Sequence, residues 1–65
     1  MTLPVNRFNS LRDARAFLLA LVGDRAMPEH VRQRASSVLK HFPGEHELHR
    51  LAELAPEVLS AKLVS

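Results

Sequence analysis

The sequence predicts an all-α fold, a small bundle of three main helices with a short fourth helix, in one domain over residues 1–65. Three observations lead to this prediction. Apolar residues recur at intervals of three and four, the spacing of one helix face. The two glycines and four prolines fall between or at the ends of these periodic segments. β-Branched residues are few and no segment alternates apolar with polar residues, so no strand is predicted.

Helix one is predicted over about residues 5–22. Thr2 or Asn6 is a candidate N-cap, and Gly23 is of the type that commonly follows the last helical turn. Ser10 is a second candidate start, because Ser10 and Asp13 have the spacing of a capping box.

The apolar surface of helix one is wider than a one-sided surface helix needs. It covers about 200° of the helix circumference, against about 100° for such a helix. We expect this helix to be central in the fold or to contact a partner as well as its own core. One line along it, at i, i+4, i+7 and i+11, is the predicted edge for that second contact: Phe8, Arg12, Arg15 and Leu19.

Helix two is predicted over about residues 28–41. Pro28 suits a first turn, where a missing N–H is tolerated, and Pro43 prevents continuation. The short loop 23–27 predicts that helices one and two are antiparallel neighbours. The apolar face of helix two consists of Val31, Ala35, Val38, Leu39 and Phe42.

Helix three is predicted over about residues 45–54, with Glu45 and Glu47 at the positive end of its dipole. Pro56 is expected to open the short fourth helix over about residues 57–62, which packs through Val58, Leu59 and Leu63. The predicted core of the whole domain comprises Phe8, Leu11, Phe17, Leu18, Leu21, Val22, Val31, Ala35, Val38, Leu39, Phe42, Leu48, Leu51 and Leu54.

Composition narrows the possible functions. The absence of cysteine excludes disulfides and thiolate zinc sites, which leaves helix packing and self-association to stabilise so small a domain. Residues 1–42 carry a net charge of +4 and residues 43–65 a net charge of −2. The basic part could attract nucleic acid, but the simpler interpretation is that the two parts attract each other, within one molecule or between two copies. No stretch of 18 apolar residues and no secretory signal pattern is present, so a cytoplasmic location is predicted.

A histidine cluster is the first candidate site, with His41, His46 and His49 near Glu45 and Glu53. The spacing of His46 and His49 is i, i+3, whereas the metalloprotease signature needs i, i+4. We therefore interpret the cluster as a solvated face with Glu45–His49 and His49–Glu53 pairs, and predict no metal site.

The basic face of helix two is the second candidate, with Arg32, Arg34 and Lys40 available to contact phosphates. Helices two and three also have the order of a helix-turn-helix, but helix three is acidic, and acid in the major groove repels phosphate. A solvated helix face is the simpler interpretation.

Arg7 is the third candidate. If helix one begins near Pro4, Arg7 falls on the same stripe as Leu11 and Leu18. It is expected either to pair with an acid from helix three or four or, more simply, to extend its charged end into water at the helix terminus.

Several short motifs resemble those of a family of short proteobacterial proteins of uncharacterised function. The opening Thr2-Leu3-Pro4 with Arg7 matches the family's Thr-Leu-Pro-x-x-Arg. The family's Phe-Leu pair is matched by Phe17-Leu18, and its Pro-x-x-hydrophobic-Arg helix start by Pro28 with Val31-Arg32. Its closing Leu-Arg-His-Tyr-Pro is matched by the segment 39–43. In this chain Lys40 replaces the Arg and Phe42 replaces the Tyr of that closing motif, and Val5-Asn6 stands where the family has an acid before its Arg. The resemblance covers about residues 2–43 and implies a small helical fold without implying an activity.

An enzyme is not predicted, because the chain has no cysteine or tyrosine, no glycine-rich phosphate loop and no recognisable catalytic constellation. No cofactor is expected. We predict a protein-interaction or regulatory module whose partner is another protein or a second copy of the chain, which would form a homodimer through helix one. The alternative is a nucleic-acid-binding accessory protein that uses Arg32, Arg34 and Lys40.

Overall fold

The computed structural model describes residues 2–61, and over this range the all-α prediction is confirmed. The three helices are α1 (Pro4–Gly23), α2 (Glu29–Leu39) and α3 (Glu45–Leu54). Each begins and ends within two residues of its predicted bounds, and residues 2–61 contain no strand. None of the helices is both long enough and apolar enough to cross a membrane.

The start of α1 differs from the prediction. Pro4 is the first helical residue, and Leu3 precedes it in an extended conformation without any side-chain cap. Thr2 and Asn6 therefore do not cap the helix, and Ser10 lies inside it. Proline suits this position because its fixed φ is already helical and its missing N–H would have no partner there.

The helix α1 is the centre of the molecule. The chain reverses through residues 24–28, where the Asp24 carboxylate accepts a hydrogen bond from the Ala26 amide at 2.9 Å. It then runs back as α2 along the second half of α1. The helix α3 packs on the first half of α1, and within the described residues α2 and α3 do not pack on one another. The molecule is therefore elongated, at 40 × 20 × 18 Å.

The buried core lies at the α1–α3 end. Phe8 of α1 and Leu48 of α3 are almost completely buried, and Ala52 and Leu59 complete the cluster with Leu11 at its edge. The α1–α2 contact contributes one further buried side chain, Ala35.

Five of the predicted core residues are instead exposed: Phe17, Val22, Val38, Leu51 and Leu54. The prediction was wrong for them because a helix buries only the sector that faces a neighbouring element, and within residues 2–61 α1 is the only helix that packs on α2 or on α3. Of the other predicted core residues, three are buried, Phe8, Ala35 and Leu48, and six are half-buried, Leu11, Leu18, Leu21, Val31, Leu39 and Phe42.

The predicted fourth helix does not form over its described part, residues 57–61. Residues 56–58 form a single turn in which the Val58 amide donates to the Ala55 carbonyl oxygen at 2.9 Å. The chain then leaves the turn, and the Ser60 amide donates to the Pro4 carbonyl oxygen at 3.1 Å. Leu59 is buried as predicted, Val58 is exposed, and Leu63 lies outside the described residues.

Candidate functional site

An apolar groove lies between α1 and α2. Leu18 and Leu21 line it from α1, and Val31, Ala35 and Val38 line it from α2. Its volume is about 250 Å³, and its polar lining side chains are those of His30 and Arg34.

The groove follows from the residue types at the α1–α2 contact. Ala35 has the smallest side chain on the apolar face of α2 and is buried against α1. Val31 and Val38, one turn on either side of it, are short and β-branched. They line the open side of the contact without filling it, and Val38 remains exposed.

Phe17 extends this apolar surface across α1. It precedes Leu21 by four residues, so the two side chains share one side of the helix. Its side chain is 63% exposed, although it is one of only three aromatic residues in the chain. We call Phe17 together with the groove between α1 and α2 the Phe17 face.

Two unpaired charges of opposite sign border the Phe17 face. Arg34 lies at the edge of the groove on α2. Asp13 lies one turn before Phe17 on α1 and is exposed, and it also lines the neighbouring depression that contains Arg12 and Arg15. Neither residue makes an ion pair or a side-chain hydrogen bond within residues 2–61.

The edge that the sequence predicted for a second contact lies on another side of α1 from Phe17. It consists of Phe8, Arg12, Arg15 and Leu19. Phe8 is 1% exposed, so it belongs to the core and offers no surface to a partner. The Arg12 guanidinium pairs with the Glu45 carboxylate at 3.1 Å and lies 5.9 Å from the centroid of the Phe8 ring. Arg12, Arg15 and Leu19 do line one surface depression, but its other lining residues are largely polar. Leu19 is 48% exposed and is the one large apolar side chain of this edge that a partner can reach.

The three cations predicted to contact phosphates do not share a face of α2. At about 100° per residue, Arg32 lies about 160° from Arg34 around the helix, and Lys40 lies about 80° from Arg32 and about 120° from Arg34. Arg32 is half-buried, and its Nε atom is buried without a hydrogen-bond partner. Because α2 and α3 do not pack together, they also do not form a helix-turn-helix unit.

His49 contributes to packing at the α1–α3 contact. Its ring meets the Phe8 ring edge to face, with centroids 5.1 Å apart, and its Nε2 atom lies 3.4 Å from Glu45 Oε1. The predicted Glu45–His49 pair is thus present, whereas Glu53 pairs with Arg50. Residues 2–61 contain no group of side chains arranged to hold a metal ion.

Arg7 has partners that the sequence did not indicate. Its Nε atom donates to the Val58 carbonyl oxygen at 2.8 Å, and its terminal nitrogens donate to the carbonyl oxygens of Thr2 and Glu57 at 2.7 and 3.4 Å. The expected carboxylate partner is not found within residues 2–61, and the partly exposed guanidinium binds backbone carbonyl oxygens instead of extending freely into water. No local sequence pattern marks this role, because two of the three carbonyl groups come from the far end of the chain.

No protein-family model, curated protein or solved structure matches this chain. The resemblance to a proteobacterial family therefore stays a prediction.

Proposed function

We propose that this protein is a small protein-interaction module that self-associates, and that its interface is the Phe17 face. The observation that carries the proposal is the distribution of apolar side chains. Within residues 2–61, five apolar side chains are buried and two of those are alanines, while eight large apolar side chains are exposed. The cytoplasmic location predicted from the sequence is kept as part of the proposal, and no catalytic step belongs to it.

This distribution favours assembly on energetic grounds. A domain of this size buries only about 60% of the surface of its unfolded chain, and its stability is correspondingly small. Disulfides are excluded by composition, so oligomerisation is one of the few remaining ways to remove more apolar surface from water. Each fully buried aliphatic or aromatic side chain contributes about 1.5–3 kcal/mol relative to exposure, so a few such side chains matter.

The Phe17 face is favoured over the other exposed apolar positions. Leu51 and Leu54 are exposed on α3, but neither lines the two surface depressions found there among the described residues. The Phe17 face combines an exposed aromatic side chain, an apolar groove and unpaired charges at its borders. Aromatic anchors, pockets that receive them and polar rims are the usual components of protein–protein interfaces.

Sedimentation equilibrium over a concentration series tests the proposal. We expect a mass that rises toward twice the 7.3 kDa of one chain as concentration increases. The Phe17→Glu variant should stay monomeric, because a carboxylate in an apolar interface is strongly disfavoured. The matched control is Leu19→Glu, which changes an exposed apolar residue on another side of α1 and should associate as the unmodified chain does. A single 7.3 kDa species at every concentration would contradict the proposal.

A further inference from the structure

We infer that two copies of this chain associate with α1 of each on α2 of the other, so that each Phe17 enters the groove of the second copy and each Asp13 pairs with the second copy's Arg34. This inference rests on the proposed function and adds the geometry of the interface. Its occupant is a second copy of the chain, argued from the size of the groove, the position of Phe17 and the complementary charges.

The groove is large enough for an aromatic ring. An apolar cavity of about 150 Å³ can hold benzene, and this groove measures about 250 Å³. Phe17 is the only exposed aromatic side chain among the described residues, since Phe8 is buried and Phe42 half-buried. The chain therefore carries both the groove and a side chain of the right chemistry on one face.

Phe17 on α1 and Arg34 on α2 lie at matching positions along the helix axes. Phe17 lies six residues before the end of α1, and Arg34 lies five residues after the start of α2. Because α2 runs back along α1, the two residues stand at nearly the same height in the hairpin. A two-fold axis parallel to the helices leaves each residue at the same height along the axis in both copies. It also places α1 of one copy against α2 of the other. Phe17 then meets the stretch of α2 that contains Arg34, Ala35 and Val38.

The same axis brings the two charged borders together. Asp13 borders the Phe17 face on its α1 side and Arg34 borders it on its α2 side. The rotation exchanges these borders, so each Asp13 faces an Arg34 and the pair occurs twice. Asp13 lies about 6 Å below Phe17 along α1, a distance that the long arginine side chain spans. Complementary charge at the edges of an apolar interface sets its register and orientation.

Charge reversal tests this geometry. Asp13→Arg and Arg34→Asp should each weaken the homodimer by at least about tenfold, because each places like charges together at both borders. The double variant carrying both changes should recover the original dissociation constant to within about threefold. The matched control is Lys40→Asp, which makes the same change of sign on another side of α2 and should leave association unchanged.

A mixture of the two single variants gives the sharpest result. In a heterodimer of Asp13→Arg with Arg34→Asp, both borders hold opposite charges, so the mixture should associate more tightly than either variant alone. A folding defect would not produce this recovery.

The outcomes separate this inference from the proposed function. If the unmodified chain dimerises but neither the mixture nor the double variant recovers affinity, the geometry is wrong and self-association stands. If the unmodified chain is monomeric at every concentration, the proposed function fails and the inference fails with it. A monomer that binds a synthetic acidic amphipathic helix in the groove would mean that the occupant is a different protein, which also overturns the inference.

Discussion

Arg7 and Val58 are joined by a hydrogen bond of 2.8 Å, from the guanidinium Nε of the first to the carbonyl oxygen of the second, across fifty-one residues of chain. The same guanidinium donates to Thr2 and Glu57. It therefore holds the segment after α3 against the start of α1, where Leu59 completes the buried cluster around Phe8. One half-buried cation thus links both ends of the described chain.

We predict that Arg7→Ala lowers the free energy of unfolding by about 1–2 kcal/mol, because hydrogen bonds from a charged group are lost while the carbonyl groups stay within reach of water. Urea denaturation followed by circular dichroism measures this change. The control is Arg25→Ala, which removes an exposed arginine without a partner in residues 2–61 and should change stability by less than about 0.5 kcal/mol. Equal effects of the two changes would contradict the role assigned to Arg7.

The two phenylalanines of α1 should respond in opposite ways to truncation. Phe8→Ala removes a buried ring and should cost about 3–5 kcal/mol, enough to unfold most of so small a domain. Phe17→Ala removes an exposed ring and should weaken association, while the circular dichroism spectrum of the dilute monomer stays helical. Loss of helicity in dilute Phe17→Ala would show that Phe17 supports the monomer's own fold.

The pair between Arg12 and Glu45 is predicted to contribute little to stability. Both side chains are about half exposed, so Glu45→Gln should lower the free energy of unfolding by less than about 1 kcal/mol, and high salt should remove part of that difference. Arg12→Ala should cost more, because its guanidinium also lies over the Phe8 ring. Urea titrations at low and high salt distinguish the two contributions, and a larger cost for Glu45→Gln would contradict this assignment.

Nucleic-acid binding, the alternative function, has a separate test. Because Arg32, Arg34 and Lys40 point in different directions around α2, we predict that they do not bind duplex phosphates together. Fluorescence anisotropy with a labelled duplex should then show weak binding whose salt slope is shallower than the value of about −2.7 expected for three neutralised phosphates. A salt slope of about −2.7 that becomes shallower by about one in the Lys40→Gln variant would instead support nucleic-acid binding.

The helices were predictable because their ends depend on local chemistry. Pro28, Pro43 and Gly44 mark α2 and α3 within the sequence itself, and the apolar spacing between these markers is helical. The first turn of α3 shows the same locality, since the Glu47 carboxylate accepts a hydrogen bond from the Gly44 amide at 3.0 Å. Such features involve residues within one helical turn of each other.

Burial was less predictable because it depends on which helices are neighbours. Phe8 and Phe17 both lie on the apolar arc of α1, yet only Phe8 meets α3. Leu48 and Leu51 are one turn apart on α3, and only Leu48 faces α1. Periodicity identifies an apolar face but does not give the number of helices that cover it.

The interaction surface stays a prediction, and from the sequence it was expected along the edge through Phe8 and Leu19, of which Phe8 is buried. The excess apolar arc of α1 indicated a second contact, whereas the pairing of α1 with α2 determines where the groove opens. The prediction of a fourth helix was wrong for a similar reason. Its local pattern is compatible with a helix, but the segment forms a single turn in which Arg7 donates hydrogen bonds to its carbonyl oxygens.

An isotope-filtered NOE experiment on a mixed sample shows whether two copies meet at the Phe17 face. Chains labelled with ¹³C are mixed with unlabelled chains, and only contacts between copies are detected. We predict NOEs from the unlabelled Phe17 ring to the labelled methyl groups of Val31 and Val38. NOEs between copies that arise only from Leu19 or from Leu51 and Leu54, or the absence of any at millimolar concentration, would contradict the account.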